Sequence, residues 1–281
     1  MSQPPASSSS HVFTTGATWR AIGFEMTSEA RADEVLAQAS DKCTPVAGDI
    51  KNGVFISKDR SGAVLVFDVV DEKIQDIHED FAATTTVAAR WVEMPDRFAL
   101  ADFRDANGQT VGQACVALRA GLENQPGCGG QGELAVAALA QRVELYEGAR
   151  SYANSETARI FASAHVAPHE PATPVAPHEN VPTPPTPADP AATLPTFISM
   201  GAVSVLSQKG AHAGAVLAGE ITAAELHSNT LTGQNFWVIE ANVGFPLTIC
   251  VGESDMPSRP RPNQVIAGEF VIVAADTALS A

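Results

Sequence analysis

The sequence predicts an α+β N-terminal domain followed by an all-β small barrel of the OB-like type. The chain has 281 residues, 45% of them hydrophobic, which is enough for two ordinary domains with their own cores. A Pro-rich stretch interrupts the chain from residue 166 onward. Before it, helix and strand patterns occur together, whereas after it strand patterns stand almost alone.

The domain boundaries follow changes in composition. We predict a Ser- and Pro-rich disordered tail at 1–11, an α+β domain at 12–165, a linker at 166–195, a small β-barrel at 196–276 and a short tail at 277–281. The linker holds ten prolines in thirty residues and no aromatic side chain. Such a stretch cannot bury enough apolar surface to offset its ordering entropy, and proline extends it.

The first domain opens with a predicted helix that Thr27 or Ser28 can cap, and apolar residues recur after the cap at helical spacing, at Ala32, Val35, Leu36 and Ala39. Strands are predicted at 54–56, 63–67, 87–92, 98–103 and 111–118. A closing amphipathic helix is predicted at 133–146, where Val136, Leu139, Val143 and Tyr146 follow one another at helical intervals.

Residues 127–132 form a Gly-rich run before this helix. The run matches neither the P-loop nor the dinucleotide-binding pattern, and no lysine follows its glycines. We therefore interpret it as a flexible connector.

The second domain has β-rich runs at 215–226, 236–241, 247–251 and 265–273, separated by Asn, Gly and Pro. The first run is long enough to bend and serve two sheets, with Gly219 as the point where it coils. Strand number and spacing suit an OB-like barrel and do not separate it from an SH3-like one.

Charge and cysteine content restrict the partners. The net charge is −15, which repels phosphate backbones and anionic membrane surfaces, so neither nucleic acid nor a membrane is an expected partner. No window approaches the roughly 18 apolar residues of a membrane span. The four cysteines are widely separated and form no Cys-x-x-Cys pair. We therefore expect a cytoplasmic protein with no cofactor.

A contact surface is predicted on the second domain. Asn229 and Thr232 belong to a hairpin turn, and Phe236 and Trp237 follow on opposite faces of the next strand. One of these two aromatic side chains is expected to be exposed, so the four residues form the candidate surface for a protein or peptide partner.

A second candidate site is the densest group of acidic residues, which spans 68–80. Asp76, His78 and Asp80 are its candidate metal ligands or acid–base groups. The spacing lacks the order of an EF-hand loop, and charged runs between strands are usually solvated turns. No Gly-x-Ser-x-Gly nucleophile elbow is present.

Several stretches resemble an uncharacterised two-domain bacterial family of hypothetical proteins. The likeness covers 225–237 and 265–270 in the C-terminal barrel, and 53–65, 78–81 and 196–201 before it. The resemblance implies a two-domain architecture with an OB-like barrel and no established activity. The chain departs from that family in its long Pro-rich insert and in the absence of an acidic residue at 248–251.

The functional expectation is a non-enzymatic binding or interaction protein that uses the barrel as a contact module. One alternative is an enzyme or metal-binding protein with a carboxylate and histidine site in the first domain. The other is an OB-type single-strand nucleic-acid binder. Lys209, Arg259 and Arg261 are the only Lys or Arg residues from residue 196 onward, so a basic groove is not expected.

Overall fold

The computed structural model describes residues 16–118, 127–164 and 194–276, and it is mostly β. Thirteen strands of the described chain are β1 Thr44–Gly48, β2 Gly53–Lys58, β3 Ala63–Val70, β4 Lys73–Phe81, β5 Thr86–Met94, β6 Phe98–Arg104, β7 Thr110–Ala117, β8 Gly129–Tyr146, β9 Thr196–Ser199, β10 Gly214–Ser228, β11 Asn235–Asn242, β12 Pro246–Gly252 and β13 Val265–Asp276. Five short helices accompany them: α1 Ala17–Arg20, α2 Glu29–Ser40, α3 Ala149–Ala153, α4 Glu156–Ala164 and α5 Met200–Leu206.

The smaller sheet contains four antiparallel strands in the order β1-β2-β3-β4. The predicted hairpin between 54–56 and 63–67 is confirmed as the β2–β3 pair. The acidic run that was interpreted as a solvated turn instead contains β4, which pairs with β3. Only the end of β4 is buried, at Glu79, Asp80 and Phe81.

The larger sheet contains nine strands in the order β11-β12-β8-β5-β6-β7-β13-β10-β9. Additional pairs join β10 to β11 and β8 to β13. These two pairs close two five-stranded rings, β8-β12-β11-β10-β13 and β8-β5-β6-β7-β13, which share β8 and β13. Closing a sheet in this way leaves few strand edges unpaired.

The predicted fold class is wrong. The N-terminal part is not a distinct α+β domain, because its strands β5 to β8 enter the same sheet as the strands of the C-terminal part. The C-terminal strands β10 to β13 do lie in a closed ring, but the fifth strand of that ring is β8, which precedes residue 166. One large hydrophobic cluster contains residues from both parts, including Phe67, Phe103, Leu139 and Phe270.

Strand β8 is the stretch that was predicted as a helix. Its residues 134–140 are buried without interruption, because β8 is shared between the two rings. A strand covered on both faces does not alternate apolar and polar residues, so its sequence is easily confused with that of a buried helix.

The Gly-rich run at 127–132 was predicted to be a flexible connector, but it contributes the first residues of β8 and pairs with β5. A side chain at Gly130 would collide with the indole ring of Trp91, since an added Cβ would lie 2.2 Å from its Cζ2 atom. The packing of the Trp91 ring against Gly130 explains why residue 130 has no side chain.

The first predicted helix is confirmed as α2. Ser28 is its N-cap, and the Ser28 hydroxyl accepts a hydrogen bond of 3.3 Å from the backbone N–H of Arg31. Ala32, Val35 and Ala39 are its buried face. Helix α5 was not predicted.

The predicted tails at 1–11 and 277–281 lie outside the described residues, as does the predicted linker up to residue 193. Within the described parts of the chain, no helix has the length and apolar character needed to cross a membrane.

Candidate functional site

A cleft of about 700 Å³ lies where the smaller sheet meets β10 and β11. Its floor consists of residues from β10 and β11. One wall is the turn between β2 and β3, from Lys58 to Gly62, and the other contains Phe81, Ala82 and Thr84. We refer to it below as the seam cleft.

The pairing of β10 with β11 determines which side chains form the floor. Ala223, Glu225 and His227 alternate along β10, and their partners on β11 are Glu240, Val238 and Phe236 respectively. Directly opposed residues of an antiparallel pair project from the same face of the sheet. The floor therefore combines two carboxylates and an imidazole with small apolar side chains.

Asp59 fastens the wall of the cleft to the larger sheet. Its carboxylate accepts hydrogen bonds from the backbone N–H and the hydroxyl of Ser61, at 2.9 and 2.6 Å, and from the same two groups of Thr230. Burial by itself would raise the pKa of Asp59, but the hydrogen bonds from Ser61 and Thr230 outweigh it and lower the pKa. Asp59 is thus a buried anion that holds two turns together.

His227 has a defined orientation at the edge of the floor. Its Nδ1 atom lies 2.8 Å from the carbonyl oxygen of Ser61. A carbonyl can only accept, so Nδ1 carries the hydrogen and donates it. In the neutral ring the lone pair is then on Nε2, which lies 3.5 Å from a carboxylate oxygen of Glu225. The Glu225 side chain itself is 81% exposed.

Glu240 is the partly buried carboxylate of the floor. One of its oxygens accepts a hydrogen bond from the hydroxyl of Thr248 at 3.0 Å, and the other accepts from the hydroxyl of Thr85. Thr248 is completely buried on β12, and Thr85 precedes β5. The Glu240 carboxylate is therefore held in one orientation by residues from two other parts of the chain.

The predicted contact surface is buried. Asn229 and Phe236 are inaccessible to solvent, and Trp237 is 9% exposed. The Asn229 side chain donates to the carbonyl of Ile22 at 3.1 Å, and the Thr232 hydroxyl donates to the carbonyl of Gly23 at 2.6 Å. Asn229 and Thr232 attach the β10–β11 turn to the segment after α1, and the buried Phe236 and Trp237 do not provide the exposed aromatic surface that the sequence predicted.

The second predicted site is only partly assembled. The Nε2 atom of His78 lies 3.3 Å from Asp68 and 3.5 Å from Asp76, and Arg97 lies 3.0 Å from Asp68. Asp80 is buried, and its carboxylate accepts a hydrogen bond from the backbone N–H of Phe81 at 2.7 Å. In the part of the chain that the structure describes, no group of three or more His, Cys, Asp and Glu side chains is arranged to hold a metal ion.

Sequence reasoning missed Asp59, His227 and Glu240 as cleft residues. The side chains meet only because the β2–β3 turn packs against β10 and β11, more than 160 residues further along the chain. A weak local signal was present, since Glu225 lies in the predicted strand 215–226, and Val238 and Glu240 lie at alternate positions of the predicted strand 236–241.

No protein-family model matches the chain, and neither does any curated protein or solved structure with which it was compared. No family is assigned, and the resemblance to a two-domain bacterial family stays a prediction from the residues.

Proposed function

We propose that this chain is a non-enzymatic binding protein and that the seam cleft is its ligand site. The observation that carries the proposal is the cleft itself, which has a volume of about 700 Å³ and combines apolar side chains with fixed polar groups. Ligand sites in proteins typically measure about 300–1,000 Å³ and have this mixed character.

The hydrogen bonds around the cleft support a preformed site. Asp59 and His227 both connect the β2–β3 turn to β10 and the turn after it, so the wall and the floor are held together without a ligand. Thr85 and Thr248 fix the Glu240 carboxylate. A site that is already ordered loses less entropy when its ligand binds.

The alternative of a catalytic site in the acidic run has less support. His78 contacts Asp68 and Asp76, whereas the nearby Asp80 accepts from the backbone of Phe81. These contacts account for the side chains as parts of an ion-pair network on the smaller sheet, and Asp76 lies at the side of a separate groove.

The nucleic-acid alternative is opposed by charge. Glu225 and Glu240 both line the seam cleft, and the chain carries a net charge of −15. Binding to a phosphate backbone needs the release of counterions by clustered Lys and Arg residues.

As for location, the buried thiols of Cys115 and Cys250 are typical of a reducing compartment, so we keep the cytoplasm as part of the proposal.

A neutral fluorescent probe tests the proposal. Dansyl N-pentylamide has an aromatic group and an alkyl chain that fit a cleft of this size, and its emission rises when it leaves water. We expect saturable binding to the intact chain. The Ala223→Phe variant fills the floor and should weaken binding at least about tenfold, whereas Leu226→Phe should bind like the unmodified chain.

Leu226 is a matched control because it lies on the opposite face of β10 and is already 45% exposed. Both variants add an aromatic ring to the same strand, so a difference between them locates the probe in the seam cleft. Absence of saturable binding, or equal loss in both variants, would overturn the proposal.

A further inference from the structure

We infer that the group recognised in the seam cleft is an alkylammonium ion, and that Glu240 is its anchor. The inference rests on the proposed function, because it names the chemistry of the ligand for the same site. It starts from the hydrogen bonds of Glu240. The hydroxyls of Thr85 and Thr248 are uncharged, so they orient the carboxylate without neutralising it.

The Glu240 carboxylate has acceptor capacity left over. An ionised carboxylate has about four lone-pair sites, and the two threonine hydroxyls use one on each oxygen. Within the described residues Glu240 has no ion-pair partner, although the side chain is only partly exposed. A partly buried carboxylate with fixed geometry and open acceptor positions suits a ligand that brings both charge and hydrogen-bond donors. An ammonium group has three such donors.

The surroundings of Glu240 suit the alkyl part of the ligand. Ala223 is its direct cross-strand neighbour, Val238 is next on the same face of β11, and Ala82 lies in the wall. These small apolar side chains leave room for a chain of methylene groups, whose burial is favourable. The cleft thus combines a carboxylate that can bind the ammonium group with apolar side chains that can cover the methylene groups.

The remaining charges of the cleft decide in favour of a cation. Glu225 adds a second carboxylate to the floor. Lys58 and Arg60 lie on the opposite wall, but both are exposed, so water and salt weaken their repulsion of a bound cation. The net charge of −15 also raises the local concentration of cations.

Three dansyl probes with the same pentyl arm provide the test, which uses the intact chain. The arm ends in an ammonium group, a methyl group or a carboxylate. In physiological salt we expect the ammonium probe to bind about tenfold more tightly than the methyl probe, a typical effect of one charge-assisted hydrogen bond. The carboxylate probe should bind more weakly than the methyl probe.

Two variants separate the role of Glu240 from that of net charge. Glu240→Gln should abolish the preference for the ammonium probe while the methyl probe still binds. Glu220→Gln removes the same charge from an exposed position on β10 and should retain the preference. If the methyl probe binds but the ammonium probe shows no preference, or if both variants lose the preference equally, the inference fails and the proposed function stands. If no probe binds, both fail.

The alkylammonium group could come from a free amine or from a lysine side chain of a partner protein. Competition with the ammonium probe distinguishes them. Displacement at lower concentration by Nα-acetyl-lysine N-methylamide than by n-pentylamine would indicate lysine, and the reverse order would indicate a free amine. Either order supports the inference, and failure of both compounds to displace the probe contradicts it.

Discussion

The carboxylate of Asp59 accepts hydrogen bonds from the backbone N–H and the hydroxyl of Thr230, which is 171 residues away in the sequence. Asp59 belongs to the β2–β3 turn of the smaller sheet, and Thr230 belongs to the β10–β11 turn of the larger sheet. The contact therefore joins the two sheets at one end of the seam cleft. Asp59 is buried, so its four donors cannot be replaced by water without rearrangement.

Asp59→Asn should lower the free energy of unfolding by about 1–3 kcal/mol. The substitution keeps the shape of the side chain but places an NH₂ group against donors from Ser61 or Thr230. Urea unfolding monitored by tryptophan fluorescence would measure the loss. Asp33→Asn is the control, because Asp33 is exposed on α2, and it should change stability by less than about 0.5 kcal/mol.

The hydrogen bonds that the Asp59 carboxylate accepts also predict that stability depends on pH. The folded pKa of Asp59 is lowered, so the unfolded state takes up its proton first as the pH falls. The contribution of Asp59 is complete above the unfolded pKa of about 4 and is lost as the pH falls through the lower folded pKa. The stability difference between the unmodified chain and Asp59→Asn should therefore shrink below about pH 4. A constant difference down to pH 2 would contradict this interpretation.

Gly130→Ala should destabilise the chain by about 1–3 kcal/mol because its methyl group would overlap the indole ring of Trp91. Trp91 is buried and pairs directly with Gly130 across the β5–β8 pair, so its ring has little room to move. The expected measurement is a lower urea midpoint together with a change in tryptophan emission.

Gly132→Ala is the matched control for this packing. Gly132 is two residues further along β8, and an added Cβ there would lie 3.8 Å from the Trp91 ring, an ordinary contact. This variant should match or slightly exceed the stability of the unmodified chain, since alanine restricts the unfolded state. Equal destabilisation by both variants would show that the strand itself, and not the ring, requires glycine.

Thiol reactivity should distinguish the four cysteines. Burial raises the pKa of Cys43 and of Cys115 to about 11, and it raises the pKa of Cys250 well above its ordinary value. Because the thiolate is the reactive form, iodoacetamide at pH 8 should modify the exposed Cys128 first. Cys115 and Cys250 should react only in denaturant. Peptide mass mapping over time checks the order, and rapid labelling of Cys250 in the native chain would contradict its burial.

Strands β5 and β6 were predictable because their residues are covered on one face and alternate accordingly, whereas β3 and β12 were indicated by short continuous apolar runs. The β2–β3 hairpin and the cap of α2 depend on neighbouring residues, and local patterns indicated them, whereas β1 and β4 were not predicted. Strand β8 was not predictable in this way, since burial on both faces removes the alternation from 134–140. The Pro-rich stretch from residue 166 onward indicated two domains, and the helix predicted over β8 concealed the strand that pairs with both β12 and β13.

The seam cleft was less predictable than the fold elements. The floor residues Glu225 and Glu240 lie in strands that were predicted, but nothing local indicates that Thr85 and Thr248 donate to Glu240. Conversely, one of Phe236 and Trp237 was expected to be exposed, although both side chains pack into the core. Which face of a strand is covered depends on the partner sheet, which single-sequence patterns do not specify.

The shared strand β8 predicts that the two parts of the chain need each other. Residues 1–165 and 166–281, expressed separately, should each lack a cooperative unfolding transition. The first fragment loses the partner of β8 along Val265–Asp276, and the second loses the strand that closes its ring between β12 and β13. Each fragment would then expose strand edges and a large part of the common core.

Mixing the two fragments should restore the near-UV circular dichroism of the intact chain and a single unfolding transition, because the pairing of β8 with β13 needs no covalent connection. The transition should shift to higher denaturant concentration as the fragment concentration increases, since association contributes to stability. Cooperative unfolding of residues 166–281 alone would mean that β10 to β13 form an independent domain without β8. In that case the ring would have to close by direct pairing of β12 with β13.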